Sequence, residues 1–182
     1  MIRNNSFLNI GAAIGSHNYF AEGDVQLYHT NITIENNSIN MTLNSGIRAL
    51  NWKDATITGN TLKDIGKDAN GEYGERLYGV YLRGVVNMTV KNNTFNNCNI
   101  PICVLKTADV GNAGYPTTIT QLTEQNWLDM KENTLIDCNY NRIRLSFDFE
   151  DTDFPVDYGV KLNASGSYKN VEFDPANCTT TK

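Results

Sequence analysis

One stretch of the chain decides the fold: Asn87-Met88-Thr89-Val90-Lys91-Asn92-Asn93-Thr94-Phe95. At its centre an Asn is followed by a hydroxyl residue and then by an apolar one. The same triplet occurs five times, and its first residues are 32, 23, 33 and 40 positions apart. Because the triplet is kept while the spacing varies, we predict a structural repeat into which loops of different length are inserted. The first residues of the triplets are Asn5, Asn37, Asn60, Asn93 and Asn133.

Apolar residues keep fixed distances from the repeated Asn. Around them apolar and polar residues alternate, as in Val80-Tyr81-Leu82-Arg83, which is the period of a strand with one buried face. Short strands in a repeat this short, with no helical pattern, indicate parallel strands that stack turn on turn. Three positions before the Asn stand Ile2, Ile34, Ile57, Val90 and Met130, and nine or more positions after it stand Ile14, Ile47, Val80, Ile102 and Ile143.

The combination of a Gly-Val-x-x-Leu-like strand with the segment Asn87 to Phe95 resembles the repeat of the pectate-lyase-like superfamily, which includes polysaccharide lyases, glycoside hydrolases and related proteins. The resemblance covers roughly residues 2–173. It implies an all-β fold, a right-handed single-stranded parallel β-helix (solenoid) of about five to six turns with loop insertions. It also implies that the repeated Asn residues form a ladder at a bend. Layers about 4.8 Å apart would let stacked amides bond to one another over a continuous apolar core.

The length of 182 residues suits one domain with its own core. We predict a β-helix domain over residues 1–173 and a flexible C-terminal tail over 174–182. No cap precedes Ile2, although an uncovered end would expose core and strand edges. The sequence therefore predicts either the C-terminal part of a longer β-helix or a homo-oligomer in which another copy covers the N-terminal end.

Charge and cysteine usage narrow the function classes. A net charge of -5 argues against general nucleic-acid binding, which needs a basic surface. No apolar run approaches membrane-spanning length, and no signal peptide is visible, although the resemblance implies an extracellular, cell-surface or periplasmic protein.

Cys98 and Cys138 share a column and should point into the core, with a disulfide as the alternative. Cys103 should face outward, and no cysteine has metal-ligand spacing.

The strand that contains Val80 should present every second residue outward. Its outward positions across the repeats are mostly basic and aromatic, and they include Arg48, Tyr81, Arg83, Cys103, Arg144 and Lys161. The resemblance implies that a saccharide lies across such a face, and Arg side chains suit carboxylate or sulfate groups. The alternative is that these cations are solvated and pair with loop acids. The predicted substrate-binding residues are Arg48, Trp52, Tyr81, Lys161, Tyr19 and Tyr115.

Catalytic residues are less well defined by the sequence. In β-elimination by a lyase, an Arg or Lys with a lowered pKa can remove the proton beside a uronate carboxylate. The chain carries no full catalytic signature of a lyase or polygalacturonase subfamily. The candidates for this role are Arg83, Arg144, Lys106 and His17.

One loop is acidic enough to suggest a metal site. Its carboxylates could hold calcium, supply the paired acids of a glycoside hydrolase, or simply be solvated. Calcium is the one candidate cofactor. The sequence thus predicts a β-helix that acts on or binds an acidic polysaccharide, as a lyase or hydrolase; the alternatives are a noncatalytic carbohydrate-binding, adhesin or tailspike-like protein, or a structural spacer. The acidic residues are Asp148, Glu150, Asp151 and Asp153.

Overall fold

The structure is a computed structural model, and every part of it that is described is either β-strand or connecting segment. No helix occurs among these residues, and no part of them is long and apolar enough to cross a membrane as a helix. The described residues are 1–16, 28–67, 70–72, 77–105, 128–130, 132–138, 143–146, 172–173 and 179–181.

The strands form three sheets. Sheet 1 has the spatial order β1 (Ile2–Arg3), β5 (Thr33–Glu35), β8 (Trp52–Thr58), β11 (Val86–Lys91) and β14 (Leu128–Asp129), and β4 (His29–Thr30) also pairs with β8. Sheet 2 has the order β2 (Ser6–Ile10), β6 (Ser38–Thr42), β9 (Thr61–Lys63), β12 (Thr94–Asn96), β15 (Thr134–Ile136) and β18 (Thr179–Thr181). Sheet 3 has the order β3 (Ile14–Gly15), β7 (Ile47–Leu50), β10 (Tyr78–Arg83), β13 (Ile100–Leu105), β16 (Ile143–Ser146) and β17 (Glu172–Phe173).

From β1 to β16 the chain visits the three sheets in rotation and adds one strand to each, except that β4 and β5 both join sheet 1. Nearly all pairings are parallel and in the register that the repeat predicts. Strands that are far apart in sequence therefore become neighbours, and equivalent residues of successive repeats lie side by side. The predicted column that begins at Ile14 is confirmed residue by residue, as Ile14, Ile47, Val80, Ile102 and Ile143.

The apolar columns meet in one core between the sheets. Ile34, Ile57 and Val90 from sheet 1 are completely buried, as are Leu62 and Phe95 from sheet 2. Sheet 3 contributes its predicted inward residues, which are buried wherever their side chains are described. These are Ile47, Ala49, Val80, Leu82, Ile102 and Val104.

The predicted Asn ladder is present at the corner between sheets 1 and 2. The backbone N–H and the Nδ2 of each ladder Asn both donate to Oδ1 of the next one, over distances of 2.9–3.1 Å. From the second rung onward, Nδ2 also donates to a backbone carbonyl of the preceding repeat. Asn93, for example, donates to the carbonyl of Ile57 at 3.0 Å. The ladder thus satisfies polar groups that are buried, since the four rungs after Asn5 are at most 2% exposed.

The corners of the repeat use left-handed backbone. The residue before each ladder Asn has a positive φ, and so does the residue four positions after it. Asn, Asp and Gly occupy most of these positions because they adopt this conformation at least cost. The first set is Asn4, Asn36, Gly59, Asn92 and Glu132, and the second is Asn9, Met41, Asp64, Asn97 and Asp137.

The C-terminal strands complete two of the sheets. Glu172–Phe173, at the end of the predicted β-helix domain, form β17 and pair antiparallel with β16. Within the predicted tail, Thr179–Thr181 form β18 and pair in parallel with β15. Thr179 thus extends the row of hydroxyl residues at the start of the sheet 2 strands.

The core cysteines are free thiols. Cys98 and Cys138 are buried in the predicted column, and the disulfide that the sequence left open does not form. The Cys98 thiol donates to the carbonyl of Leu62 at 3.4 Å, and burial raises its pKa well above the ordinary value. A thiol that stays protonated in an apolar site is a packing residue rather than a nucleophile.

Candidate functional site

The register of sheet 3 brings the predicted cationic and aromatic residues together. Arg48, Tyr81, Cys103 and Arg144 are successive Cα partners across β7, β10, β13 and β16, so they form one row. Arg83 lies two residues beyond Tyr81 on the same strand and therefore on the same outward face. Neighbouring parallel strands are only about 4.8 Å apart, so the backbone positions of this row lie side by side.

The open part of this face lies over β7 and β10. Arg48 is exposed, and Tyr81 and Arg83 are half-buried. Tyr78 stacks on Tyr81 with ring centroids 5.1 Å apart and planes 11° from parallel. The charges of Arg48 and Arg83 both act on the Tyr81 phenol, so the two cations lie near the stacked rings. We call Arg48, Tyr78, Tyr81 and Arg83 the Tyr-Arg face.

The exposed part of the outward face of sheet 3 ends at β13. Cys103 is on the outward side, as predicted, but it is fully buried and packs with Ile100, Tyr78 and Tyr81 in a second apolar cluster outside the main core. The outward position of Cys103 is therefore confirmed, but that position is not exposed. A period-two pattern identifies the side of the sheet on which a residue lies, but it says nothing about what covers that side.

The surroundings of Tyr81 shift the pKa of its phenol. Burial raises the pKa of its phenol above 10.0, while the charges of Arg83 and Arg48 and a hydrogen bond with Arg83 oppose the shift in part. The phenol is consequently protonated at neutral pH. Tyr81 can donate a hydrogen bond there, but it cannot serve as a base without first losing a proton that burial holds.

Trp52 does not belong to the face. It was predicted to offer its ring to a sugar, but it is 2% exposed and lies in the main core. Its indole Nε1 donates to Ser16 Oγ at 2.7 Å, and that hydroxyl donates in turn to the carbonyl of Leu50 at 3.0 Å. Asp54, at φ 53°, interrupts the alternation of β8, so Trp52 is buried together with Ala55 and Ile57 although the spacing is odd. Its burial contradicts the predicted role in binding.

The remaining predicted site residues are not placed by the structure. Only the backbone of Arg144 is described, at its position in the row beside Cys103. The others lie outside the described residues: His17, Tyr19, Lys106, Tyr115, Lys161, Asp148, Glu150, Asp151 and Asp153.

The sequence prediction missed an ion-pair cluster on sheet 1. Lys91 Nζ lies 3.5 Å from an Asp129 carboxylate oxygen and 3.3 Å from a Glu132 oxygen. A hydrogen bond that Lys91 donates to Glu132 and the charge of Asp129 raise the pKa of Lys91. The repeat would have revealed the cluster, because Lys91 lies two positions before one ladder Asn and the two acids precede the next. The group is a surface cluster and is worth little to stability.

Neither a metal site among the described residues nor a match to a known protein assigns a function to the Tyr-Arg face. Among the described residues, no three His, Cys, Asp or Glu side chains come together to hold a metal ion. Comparison of the chain with family models, with curated proteins and with solved structures gives no match.

Proposed function

We propose that the chain is a right-handed parallel β-helix that binds an acidic polysaccharide across the Tyr-Arg face. The fold proposal is supported by three parallel sheets visited in rotation and by the Asn ladder that runs along one corner. Right-handedness is the hand that parallel crossover connections nearly always take. Sheets arranged in this way would form the sides of a solenoid, and sheet 3 would be one long flat side.

The observation that carries the functional proposal is the placement of two guanidinium groups beside a half-buried Tyr ring. Arg83 lies on the same strand as Tyr81, Arg48 is the Cα partner of Tyr81 on the adjacent strand, and the net charge of the chain is negative. A guanidinium can bind a carboxylate or sulfate through two parallel hydrogen bonds. A stacked aromatic ring offers an apolar surface to the face of a sugar. An uncharged phenol adds one hydrogen-bond donor near the two cations.

Binding is better supported than catalysis by the described residues. Tyr81 is protonated at neutral pH, and the Tyr-Arg face holds no carboxylate that would act as a general acid. A lyase would need a base from Arg83 or from the candidates outside the described residues. Cleavage of the polysaccharide is therefore the second candidate function. Both candidate functions imply an extracellular or cell-surface location, because polysaccharides of this class are found there.

The binding experiment compares the removal of a cation from the Tyr-Arg face with the removal of a cation from another surface of the protein. Arg48→Ala should weaken binding of a uronate-containing polysaccharide about fivefold or more, because it removes one charge-assisted contact. The matched control is Lys63→Ala, which removes an exposed cation from the outer side of sheet 2. Affinity is measured on a glycan array and by titration calorimetry at two salt concentrations, since contacts at an exposed site weaken as salt screens them.

The outcomes separate the alternatives. Equal affinity of the Arg48→Ala and Lys63→Ala proteins would refute the Tyr-Arg face as the binding surface. Incubation with a panel of acidic polysaccharides then tests cleavage, with the ultraviolet absorbance of unsaturated products followed first and reducing ends second. Unsaturated products that disappear in Arg83→Lys would favour a lyase, and binding without products would favour a noncatalytic protein.

A further inference from the structure

The outward positions of sheet 3 are basic, although the chain as a whole is acidic. They form two rows of Cα partners across the strands. The first row is Gly15, Arg48, Tyr81, Cys103 and Arg144, and the second is Leu50, Arg83, Leu105 and Ser146. The Cα partners of Arg48 and Arg83 are all uncharged, and the one acid that pairs with the first row is Glu172, at its far end beside Arg144. An anion over β7 and β10 therefore meets cations without a carboxylate on the neighbouring strand positions.

Both cations of the Tyr-Arg face act on one group, the Tyr81 phenol. Burial raises the pKa of this phenol, and the charges of Arg83 and Arg48 oppose the rise, so each cation lies near the phenol. Arg83 also forms a side-chain hydrogen bond with Tyr81. A guanidinium carries only donors, so the phenol oxygen accepts in this bond. The phenol proton consequently remains to be donated to a group other than Arg83.

The position of the Tyr81 phenol is set by packing. Tyr81 packs against a cluster of Tyr78, Ile100 and Cys103, each of which is at most 9% exposed. Tyr78 stacks on the Tyr81 ring with the centroids 5.1 Å apart, so one side of the ring is covered. A side chain held in this way loses little further freedom when a ligand binds, which lowers the entropic cost of binding. The O–H donor is thus in place before a ligand arrives.

A carboxylate and a sulfate ester would use these donors differently. A carboxylate has two oxygens in one plane, which match the two parallel N–H groups of a single guanidinium. A sulfate ester has three terminal oxygens that point in three directions, and it accepts hydrogen bonds without donating any. Two guanidinium groups and one phenol, which come from two strands, offer one donor group to each of the three oxygens. A carboxylate would be satisfied by one arginine and would leave the other two donor groups unused.

We propose that the Tyr-Arg face binds a sulfate ester of a sulfated polysaccharide, with the sulfate placed at the Tyr81 hydroxyl. This inference rests on the proposed function and narrows its ligand from acidic polysaccharides to sulfated ones. One sulfate oxygen accepts from the Tyr81 O–H, and the other two accept from Arg48 and Arg83. A guanidinium is more weakly hydrated than an ammonium, so it gives up its water at low cost when it binds such an anion.

Three polymers with the same sugar backbone test the preference for sulfate. They are dextran, carboxymethyl dextran and dextran sulfate, the last two matched in length and in the number of charges per sugar. The full chain should bind dextran sulfate about tenfold more tightly than carboxymethyl dextran, because sulfate makes at least one further charge-assisted hydrogen bond. Neutral dextran should bind more weakly than either. Titration calorimetry at two salt concentrations measures the affinities, since salt screens any general attraction between charges.

Variants of the protein separate recognition of the sulfate from general attraction. Tyr81→Phe keeps the ring and both arginines but removes the O–H donor. It should weaken binding of dextran sulfate about fivefold or more and leave binding of carboxymethyl dextran nearly unchanged, while circular dichroism shows that the fold is kept. Lys63→Ala, which removes an exposed cation from sheet 2, should leave both affinities unchanged.

The outcomes distinguish the sulfate assignment from the proposed function. Equal affinity for the two charged polymers, tighter binding of carboxymethyl dextran, or a Tyr81→Phe protein that keeps the full preference for sulfate would overturn the assignment. The proposed function would survive that result if a uronate polysaccharide still bound and lost affinity in Arg48→Ala. Both would fail if no anionic polymer bound at about 1 mM, or if Arg48→Ala and Lys63→Ala bound every polymer alike.

Discussion

A single ladder residue serves two repeats at once. Asn93 accepts from the N–H and Nδ2 of Asn60 and donates to Asn133 and to the carbonyl of Ile57, and it is 1% exposed. The cost of removing it therefore comes mainly from the groups left behind. A buried donor that has lost its acceptor pays its full desolvation penalty.

Asn93→Ala should lower the free energy of unfolding by about 1 to 3 kcal/mol, because the buried N–H of Asn60 would lose its acceptor. Asn60 Nδ2 would lose one of its three acceptors and keep the carbonyls of Ile34 and Thr58. Urea denaturation followed by circular dichroism measures the change. The control is Asn92→Gly at the adjacent corner, where φ is 55° and the side chain is exposed, so little change is expected. Equal losses for the two variants would contradict a role of the ladder in stability.

Tyr81 provides a prediction at high pH. Because burial raises its pKa, the folded state holds the phenolic proton more tightly than the unfolded state does. Its contribution to stability is fully present below pH 10.0 and is lost as pH rises through the folded pKa. The difference in absorbance at 295 nm between the protein and Tyr81→Phe should titrate with a midpoint above 10.0. A midpoint at or below that value would show that the phenol is open to water.

At the scale of the element, the strands are short because corners interrupt them at fixed positions. Most of the left-handed residues before and four positions after the ladder Asn lie between two strands, although Asn9 and Met41 lie within β2 and β6. Among the residues four positions after the ladder Asn, Met41 is the exception to the Asn and Asp pattern. It has φ 57°, and the equivalent residues are Asn9, Asp64, Asn97 and Asp137. Methionine lacks the short polar side chain that eases this conformation.

Met41→Asn should therefore raise the free energy of unfolding by about 0.5 to 1 kcal/mol. Little burial is lost, since Met41 is 49% exposed. Leu43→Asn is the matched control, because Leu43 is also an exposed apolar residue but has no positive φ. If the urea midpoints of both variants shift alike, relief of backbone strain is not the cause.

At the scale of the whole molecule, stability depends on keeping all repeats in register. The ladder residue, the apolar columns and the corners are aligned across the three sheets at once. A one-residue slip in any strand would turn its buried side chains outward. An insertion in a loop between strands does not change the register of the strands.

A single Gly inserted between Thr58 and Gly59 should lower the free energy of unfolding by more than about 3 kcal/mol, because either β8 or Asn60 must leave register. The same residue inserted after Gly71 should cost less than about 0.5 kcal/mol, since Gly71 is exposed and nothing lies within 4 Å of its Cβ position. Thermal unfolding of both proteins measures the contrast. Similar melting temperatures would mean that the register is not fixed as described.

The sequence was sufficient for the register and for part of the candidate site. Fixed distances from a repeated Asn predict which residues are side by side, and the pairing of Val80 with Ile47 and Ile102 confirms the alignment. The same distances predict that Arg48 and Tyr81 are neighbours, which is confirmed. The burial of Trp52 and Cys103 was not predictable, because periodicity gives the side of a strand and contains no information on which other segments pack there.

The sequence by itself determined the parallel pairing, the Asn ladder and the position of the core, because each of these repeats at a fixed interval and requires only local alternation plus stacking. Tertiary structure alone decided three matters that depend on a single place in the molecule. It stacked Tyr78 on Tyr81 near two arginines, buried Cys103 on the outward face, and set the direction in which the ladder amides donate. A repeated pattern specifies what every turn shares, whereas coverage and hydrogen-bond direction depend on three-dimensional neighbours.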